Sequence, residues 1–263
     1  MEAINDVDGV RISYREFGDG PPLILVHGSA LSGAIWRGLG YIKALQDEYR
    51  VVTLDLRGHG RSGKPHDRES YSMDRVVGDI GAVLDAAGIT AAHYFGYSFG
   101  ARIGFSLLAA HADRVLSFIS AGGTYLSPTG QIESLFFPGY DAALASGGMP
   151  EFLRQWSTIR NKEIDPQTAA AFLANDPAAL RAYFSRSETE PGIPEHRLQS
   201  IPTRTLLLAG TKDRLRYRDS ERAAALMPDA QFHALPGKDH ERTLHPATEV
   251  LEHVRPFLYS SSL

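Results

Sequence analysis

The pentapeptide Gly96-Tyr97-Ser98-Phe99-Gly100 has the residue types and spacing that most directly suggest chemistry. It lies where a strand pattern ends and a helical pattern begins. A serine hydroxyl is a weak nucleophile unless a tight turn presents it beside a base, and flanking glycines relieve the crowding in such a turn. The turn also places the backbone amide of Phe99 at a helix amino terminus, where it can stabilise an oxyanion. We predict a nucleophilic Ser98 and an oxyanion donor at Phe99.

A serine nucleophile needs a base and an acid that orients this base. Without them, the pentapeptide would be an ordinary helix start with a capping serine. Asp213 follows a strand-like run in LLLAGTKD, and His240 follows the next one in LPGKDH. Both lie at carboxyl ends of strands, where an open sheet binds its ligands. We predict Asp213 as the acid and His240 as the base. The neighbouring carboxylate of Asp239 would have to fold back to reach the ring, so we interpret it as a surface residue.

Short apolar runs alternate with helical patterns through most of the chain, which is typical of an α/β fold with a parallel sheet. Several runs are continuously apolar, as expected of strands that are buried on both faces. The strand-like runs cover residues 10–17, 23–26, 51–56, 93–97, 115–121, 205–209 and 231–235.

The alternation stops between residues 124 and 200, where we find only short helical pieces. Two of them begin with an aspartate followed by a proline, Asp165 with Pro166 and Asp176 with Pro177, which is a helix-start signal. The sequence therefore predicts a helical insertion in the α/β core.

These motifs together resemble the α/β-hydrolase fold family, and specifically its serine esterase and lactonase branch with a helical lid. The segments that carry the resemblance are LVHGSALSGAIW, DLRGHGRSGKP, GYSFG, LLLAGTKDRL and KDHERTLHP. The resemblance implies a doubly wound, mostly parallel sheet, with the core in residues 1–123 and 201–263 and the lid in residues 124–200. It also implies that the amide of Ser29 is the second oxyanion donor.

The resemblance implies a serine hydrolase that cleaves carboxylic esters or lactones through an acyl-enzyme. Carbon–carbon bond hydrolases and cofactor-free perhydrolases keep the same triad, so they stay open as alternatives, as does a non-catalytic ligand receptor on this fold. A serine at position 98 speaks against the epoxide hydrolase and haloalkane dehalogenase branches, which attack through a carboxylate.

Aromatic residues are frequent in the predicted lid. We expect most of them to pack the lid helices against one another and against the core. Together they would favour a substrate with an apolar part. We single out Phe137 and Trp156 as candidate substrate-pocket residues.

Composition excludes several other classes of function. The 27 basic and 31 acidic residues give a net charge of −4 without a basic block, so we expect no nucleic-acid partner. The chain has no cysteine, no metal-ligand spacing and no dinucleotide-binding glycine motif, and we predict neither metal nor cofactor. No signal peptide or membrane-spanning run is visible, so we expect a cytoplasmic location. The sequence leaves the oligomeric state open.

Overall fold

Eight strands form one sheet in the computed structural model, which describes residues 1–259. The strands are β1 (Glu2–Ile4), β2 (Arg11–Phe17), β3 (Pro22–Val26), β4 (Arg50–Leu54), β5 (Ala92–Tyr97), β6 (Val115–Ala121), β7 (Thr205–Gly210) and β8 (Ala230–Leu235). Their order across the sheet is β1-β2-β4-β3-β5-β6-β7-β8. β2 pairs antiparallel with both β1 and β4, and every other pair is parallel. The predicted mostly parallel sheet is confirmed.

Helices cover both faces of this sheet. One face carries α1 (Ala34–Gly38), α2 (Tyr41–Leu45) and α11 (Ala247–Tyr259), and the other carries α3 (Met73–Ala86), α4 (Phe99–His111) and α10 (Arg214–Leu226). Single 3-10 turns cover Arg68–Tyr71 and Ala112–Arg114.

The continuous apolar runs of the central strands explain this doubly wound arrangement. In β3, Leu23 and Leu25 belong to the core under α1, α2 and α11, whereas Ile24 and Val26 belong to the core under α3, α4 and α10. Successive side chains of a strand point to opposite faces, so a strand without polar alternation must be covered on both sides.

Five helices lie between β6 and β7, in the predicted insertion. They are α5 (Gln131–Leu135), α6 (Tyr140–Arg160), α7 (Pro166–Leu173), α8 (Pro177–Ser187) and α9 (Glu195–Leu198). Asp165 and Asp176 each accept hydrogen bonds from two amides in the first turns of α7 and α8, as their sequence signals predict. Residues 124–200, all of which are described, contain no strand.

One helical pattern in the sequence is divided in the structure. Apolar spacing over residues 35–47 predicts one helix, but two short helices occur there because Gly40 adopts a φ of 88° between them. A positive φ is compatible with glycine and interrupts an α-helix. Among residues 1–259, no helix is long and apolar enough to cross a membrane.

Candidate active site

Ser98 occupies the turn between β5 and α4 in a backbone conformation that residues other than glycine rarely adopt, with φ 53° and ψ −115°. Its amide donates a hydrogen bond to the carbonyl of Ala121 at 2.9 Å. Its carbonyl accepts one from the amide of Arg102 at 3.1 Å. The end of β6 and the first turn of α4 therefore hold the serine in this conformation.

The structure leaves no room for a side chain at either glycine of the pentapeptide. A Cβ atom at Gly96 would lie 2.5 Å from the backbone nitrogen of Ala101, and one at Gly100 would lie 2.2 Å from the carbonyl oxygen of Val26. Both distances are far below van der Waals contact, and both neighbours are backbone atoms that cannot rotate away. The glycines let α4 begin directly against β5 and β3, which brings Ser98 to the carboxyl edge of the sheet.

Ser98, His240 and Asp213 form one chain of hydrogen bonds across three strand ends. The Oγ atom of Ser98 lies 2.9 Å from Nε2 of His240, and Nδ1 of His240 lies 2.6 Å from Oδ2 of Asp213. Asp239 is half-buried, and its Oδ1 accepts a hydrogen bond from the amide of Arg242 at 3.0 Å. This geometry can transfer the serine proton to the imidazole while the carboxylate holds the ring.

Electrostatics keep these groups in the protonation states that such a transfer needs. Burial lowers the pKa of His240 below its ordinary value of 6.5, although the hydrogen bond that its ring donates to Asp213 partly opposes this effect. Burial would raise the pKa of Asp213, but the hydrogen bond and charge of His240, with the charge of Arg216, lower it below 3.8. At neutral pH the imidazole is therefore a free base beside an ionised carboxylate.

Two buried histidines hold the loop after β3 that carries Ser29. Nε2 of His27 accepts the amide of Leu56 at 3.0 Å, and Nε2 of His59 accepts the amide of Ala30 at 3.1 Å. Each ring must then carry its proton on Nδ1, which lies within 2.9 Å of a backbone carbonyl. Burial, with the charge of His27, lowers the pKa of His59 to about 3, so this ring is neutral. Sequence reasoning gave neither histidine a part in positioning the oxyanion loop.

Ser29 and Phe99, the predicted oxyanion donors, line the same cavity as Ser98. Phe99 is the first residue of α4, so its amide has no carbonyl partner within the helix. Gly28, beside Ser29, approaches so closely that a Cβ atom there would lie 3.0 Å from Cβ of Ser98. The loop after β3 and the start of α4 therefore meet at Ser98, an arrangement that an oxyanion hole would require.

A cavity of about 30 Å³ lies beside Ser98 beneath the helical insertion. Tyr183 of α8 closes one side of it, with its hydroxyl 2.6 Å from Oγ of Ser29 and its ring 4.8 Å from that of Phe99. Nothing in the sequence distinguishes Tyr183 from the other aromatics of the insertion. Tyr183 reaches the cavity because α8 approaches the loop after β3. The residues lining the cavity include Ser29, Ser98, Phe99, Arg102, Tyr183 and Arg216.

Phe137 and Trp156, the candidate pocket residues, lie elsewhere. Both are buried in the aromatic cluster that packs the insertion helices together, and neither is among the described residues that line the cavity beside Ser98. The side chains that the insertion contributes to this cavity include Ile132, Leu135 and Tyr183. Phe137 and Trp156 fill the interior of the insertion in this structure, and their role as substrate-pocket residues stays a prediction.

Comparison with known proteins agrees with this fold. A family model described as the alpha/beta hydrolase fold matches residues 21–157, which is more than half of the chain. The chain belongs to the α/β-hydrolase fold family. The match includes the loop after β3 and the serine turn.

Individual relatives of this α/β hydrolase have several activities. A pimeloyl-[acyl-carrier protein] methyl ester esterase of Aeromonas hydrophila is 33% identical over 113 residues, which are 43% of this chain and 42% of that protein. The chain thus matches less than half the length of this relative. Epoxide hydrolase A of Mycobacterium tuberculosis is 30% identical over 74% of this chain and 69% of its own length. The crystal structure of an esterase from a Rhodococcus species superposes with a TM-score of 0.81 at 26% identity, covering 99% of this chain and 98% of that one.

Among the described residues of this α/β hydrolase, no group of three or more histidine, aspartate or glutamate side chains could hold a metal ion.

Proposed function

We propose that this α/β hydrolase is a serine hydrolase that cleaves carboxylic esters or lactones through an acyl-enzyme. The observation that carries the proposal is the continuous hydrogen-bonded chain from Ser98 Oγ through His240 to Asp213, with links of 2.9 and 2.6 Å. A serine in an ordinary helix-start turn has no reason to contact a neutral imidazole that is held by a carboxylate.

The reaction would proceed in two halves. The Oγ atom of Ser98 attacks the carbonyl carbon while Nε2 of His240 takes the hydroxyl proton, which forms a tetrahedral oxyanion. Collapse of this oxyanion breaks the bond to the alcohol oxygen, and the imidazolium returns the proton to the leaving alcohol. Water then attacks the acyl-enzyme with the same base, and the acid is released as Ser98 regains its proton. Asp213 stabilises the imidazolium in both halves.

The amides of Ser29 and Phe99 would donate to the oxyanion in each tetrahedral state. Loss of one such donor costs about 3–4 kcal/mol of transition-state stabilisation. We propose that residues 124–200 act as the lid of the site, since Tyr183 closes the cavity over these donors. A lid of this kind would exclude bulk water from the acyl-enzyme.

The residue type at position 98 argues for acyl transfer over epoxide opening, although one relative is named an epoxide hydrolase. Epoxide hydrolases of this fold attack through a carboxylate, and the nucleophile position here is a serine. A hydroxyl that forms an ester with an acyl group can be regenerated by water attack at the acyl carbon.

Labelling with a fluorophosphonate probe tests the nucleophile directly. We expect rapid labelling of the wild-type protein, none of Ser98→Ala, and normal labelling of Ser146→Ala, a control in the insertion away from the cavity. A panel of esters and lactones of increasing acyl and alcohol length then measures kcat/KM. A folded wild-type protein that neither labels nor turns over any of these substrates would support a non-catalytic ligand receptor and contradict the proposal.

A further inference from the structure

A buried arginine that the mechanism does not use lines the cavity beside Ser98. Arg102 is only 4% exposed and lies on α4, one helical turn after the nucleophile. Residues four positions apart lie on the same side of a helix, so the guanidinium and the serine hydroxyl can face one space. Both residues line the 30 Å³ cavity.

The charge of Arg102 has no counter-ion within the described part of the chain. Its guanidinium donates one hydrogen bond, to the carbonyl oxygen of Glu190 at 3.0 Å, and no carboxylate of residues 1–259 forms an ion pair with it. The acidic side chains that act on it electrostatically are bonded elsewhere. Glu188 accepts two backbone amides at the start of α5, and Glu190 binds Arg186 and an amide at the start of α3.

A buried cation without a partner is costly, and proteins usually pair such a charge or bind a ligand with it. A guanidinium offers planar, paired N–H donors that match the two oxygens of a carboxylate. Arg216 adds a second positive charge to the same cavity, and its Nη1 atom lies 3.7 Å from Oδ1 of Asp213. The cavity beside Ser98 is therefore suited to an anion.

We propose that Arg102 binds a carboxylate of the substrate while the ester or lactone carbonyl of the same molecule reacts at Ser98. The substrate class would then be half-esters of dicarboxylic acids, or lactones that carry a carboxylate on a short carbon chain. This inference rests on the proposed function, since it assigns the substrate of the same site.

The wild-type protein tests the inference first. Monomethyl succinate, glutarate and adipate are each compared with the corresponding dimethyl ester, which differs mainly by the missing charge, and proton release is followed in a pH-stat. We expect kcat/KM to favour the half-ester by about tenfold or more at one chain length at least, as for a charge-assisted hydrogen bond. Equal or higher kcat/KM for all three dimethyl esters would overturn the inference.

Variants then assign the preference to one residue. Arg102→Met removes the charge and keeps the length of the side chain, and Arg154→Met makes the same change on the exposed side of α6, where that side chain is 65% exposed. We expect Arg102→Met to lower kcat/KM for the half-ester by about tenfold or more relative to kcat/KM for the dimethyl ester, and Arg154→Met to leave this ratio unchanged. An equal loss for both esters would indicate a structural role for Arg102 and contradict the inference.

A binding measurement separates this inference from the proposed function. Titration of glutarate into Ser98→Ala protein by calorimetry should show binding that Arg102→Met weakens by about tenfold or more. Glutarate binding by a protein that does not label with fluorophosphonate would reject the hydrolase and keep the anion site. Normal labelling of wild-type protein without glutarate binding would reject the anion site alone. If Arg102→Met does not fold, two measurements still test the inference. They are the comparison of half-esters with dimethyl esters on the wild-type protein and the titration of glutarate into Ser98→Ala protein.

Discussion

Asp213 and Asp239 are the two aspartates that could pair with His240, and Asp213 is the one hydrogen-bonded to it in the structure. Its Oδ2 atom is 2.6 Å from Nδ1 of His240, whereas Asp239 binds the amide of Arg242. We expect Asp213→Asn to lower kcat by about 10⁴, because the amide holds the wrong tautomer of the ring. Asp239→Asn is the matched control, and its kcat should stay within about fivefold of the wild type. Ester hydrolysis at saturating substrate measures both, and a larger loss in the control would reverse the assignment.

The lowered pKa of His240 predicts the acidic limb of the pH profile. The base is active when neutral, so kcat/KM should be constant above the pKa and fall tenfold per pH unit below it. Burial places this pKa below 6.5, and the limb should therefore lie on the acid side of that value. Initial rates of a neutral ester between pH 4.5 and pH 8.5, after a check that the protein stays folded, test this. A limb centred above 6.5 would contradict the assigned base or its environment.

At the scale of elements, the contact between α4 and β3 sets the position of the nucleophile. A Cβ atom at Gly100 would meet the carbonyl oxygen of Val26 at 2.2 Å, whereas one at Gly81, in the middle of α3, would meet nothing within 4 Å. We expect Gly100→Ala to destabilise the protein by about 1–3 kcal/mol through overpacking. Gly81→Ala should instead stabilise it by about 0.5–1 kcal/mol, because alanine loses less backbone entropy in a helix.

Urea unfolding of both glycine variants, followed by circular dichroism, measures these free energies. Gly100→Ala should also lower kcat/KM, since α4 cannot move from β3 without displacing Ser98. Equal stability of the two variants would mean that the close contact between α4 and β3 is not maintained in solution.

At the scale of the whole molecule, the insertion packs around its own aromatic cluster, while the sheet has separate cores on its two faces. The cavity of about 30 Å³ has room for water but is far smaller than the roughly 300–1,000 Å³ of typical ligand pockets. If the proposed function is correct, the insertion must move away from the core to admit a substrate.

This requirement predicts a difference in hydrogen exchange. Amides of α5 to α8 should exchange faster than those of β5 and β6 at the centre of the sheet, because local opening does not require global unfolding. A phosphonate adduct on Ser98 should slow exchange in the insertion and leave the central strands unchanged. Uniform exchange across both regions, or no effect of the adduct on the insertion, would contradict a moving lid.

The main elements of the fold were predictable, and Ser98, Asp213 and His240 could be singled out, because their signals are local. Continuous apolar runs indicate strands buried on both faces, and aspartate followed by proline marks the starts of α7 and α8. The pentapeptide around Ser98 combines a strand end with two glycines, and Asp213 and His240 each follow a later strand. The division of the helix at Gly40 was missed, because a glycine within apolar spacing does not reveal its φ.

By itself, the sequence determined the α/β architecture, the helical insertion and the residues that could act as nucleophile, acid and base. Tertiary structure alone decided that His27 and His59 hold the loop that carries Ser29, and that Tyr183 lines the cavity beside Ser98 while Phe137 and Trp156 pack inside the insertion. It also placed Arg102 in that cavity without a counter-ion. The physical reason is that hydrophobicity and turn chemistry act between neighbours in sequence, whereas burial and pairing of polar groups depend on elements distant in the chain.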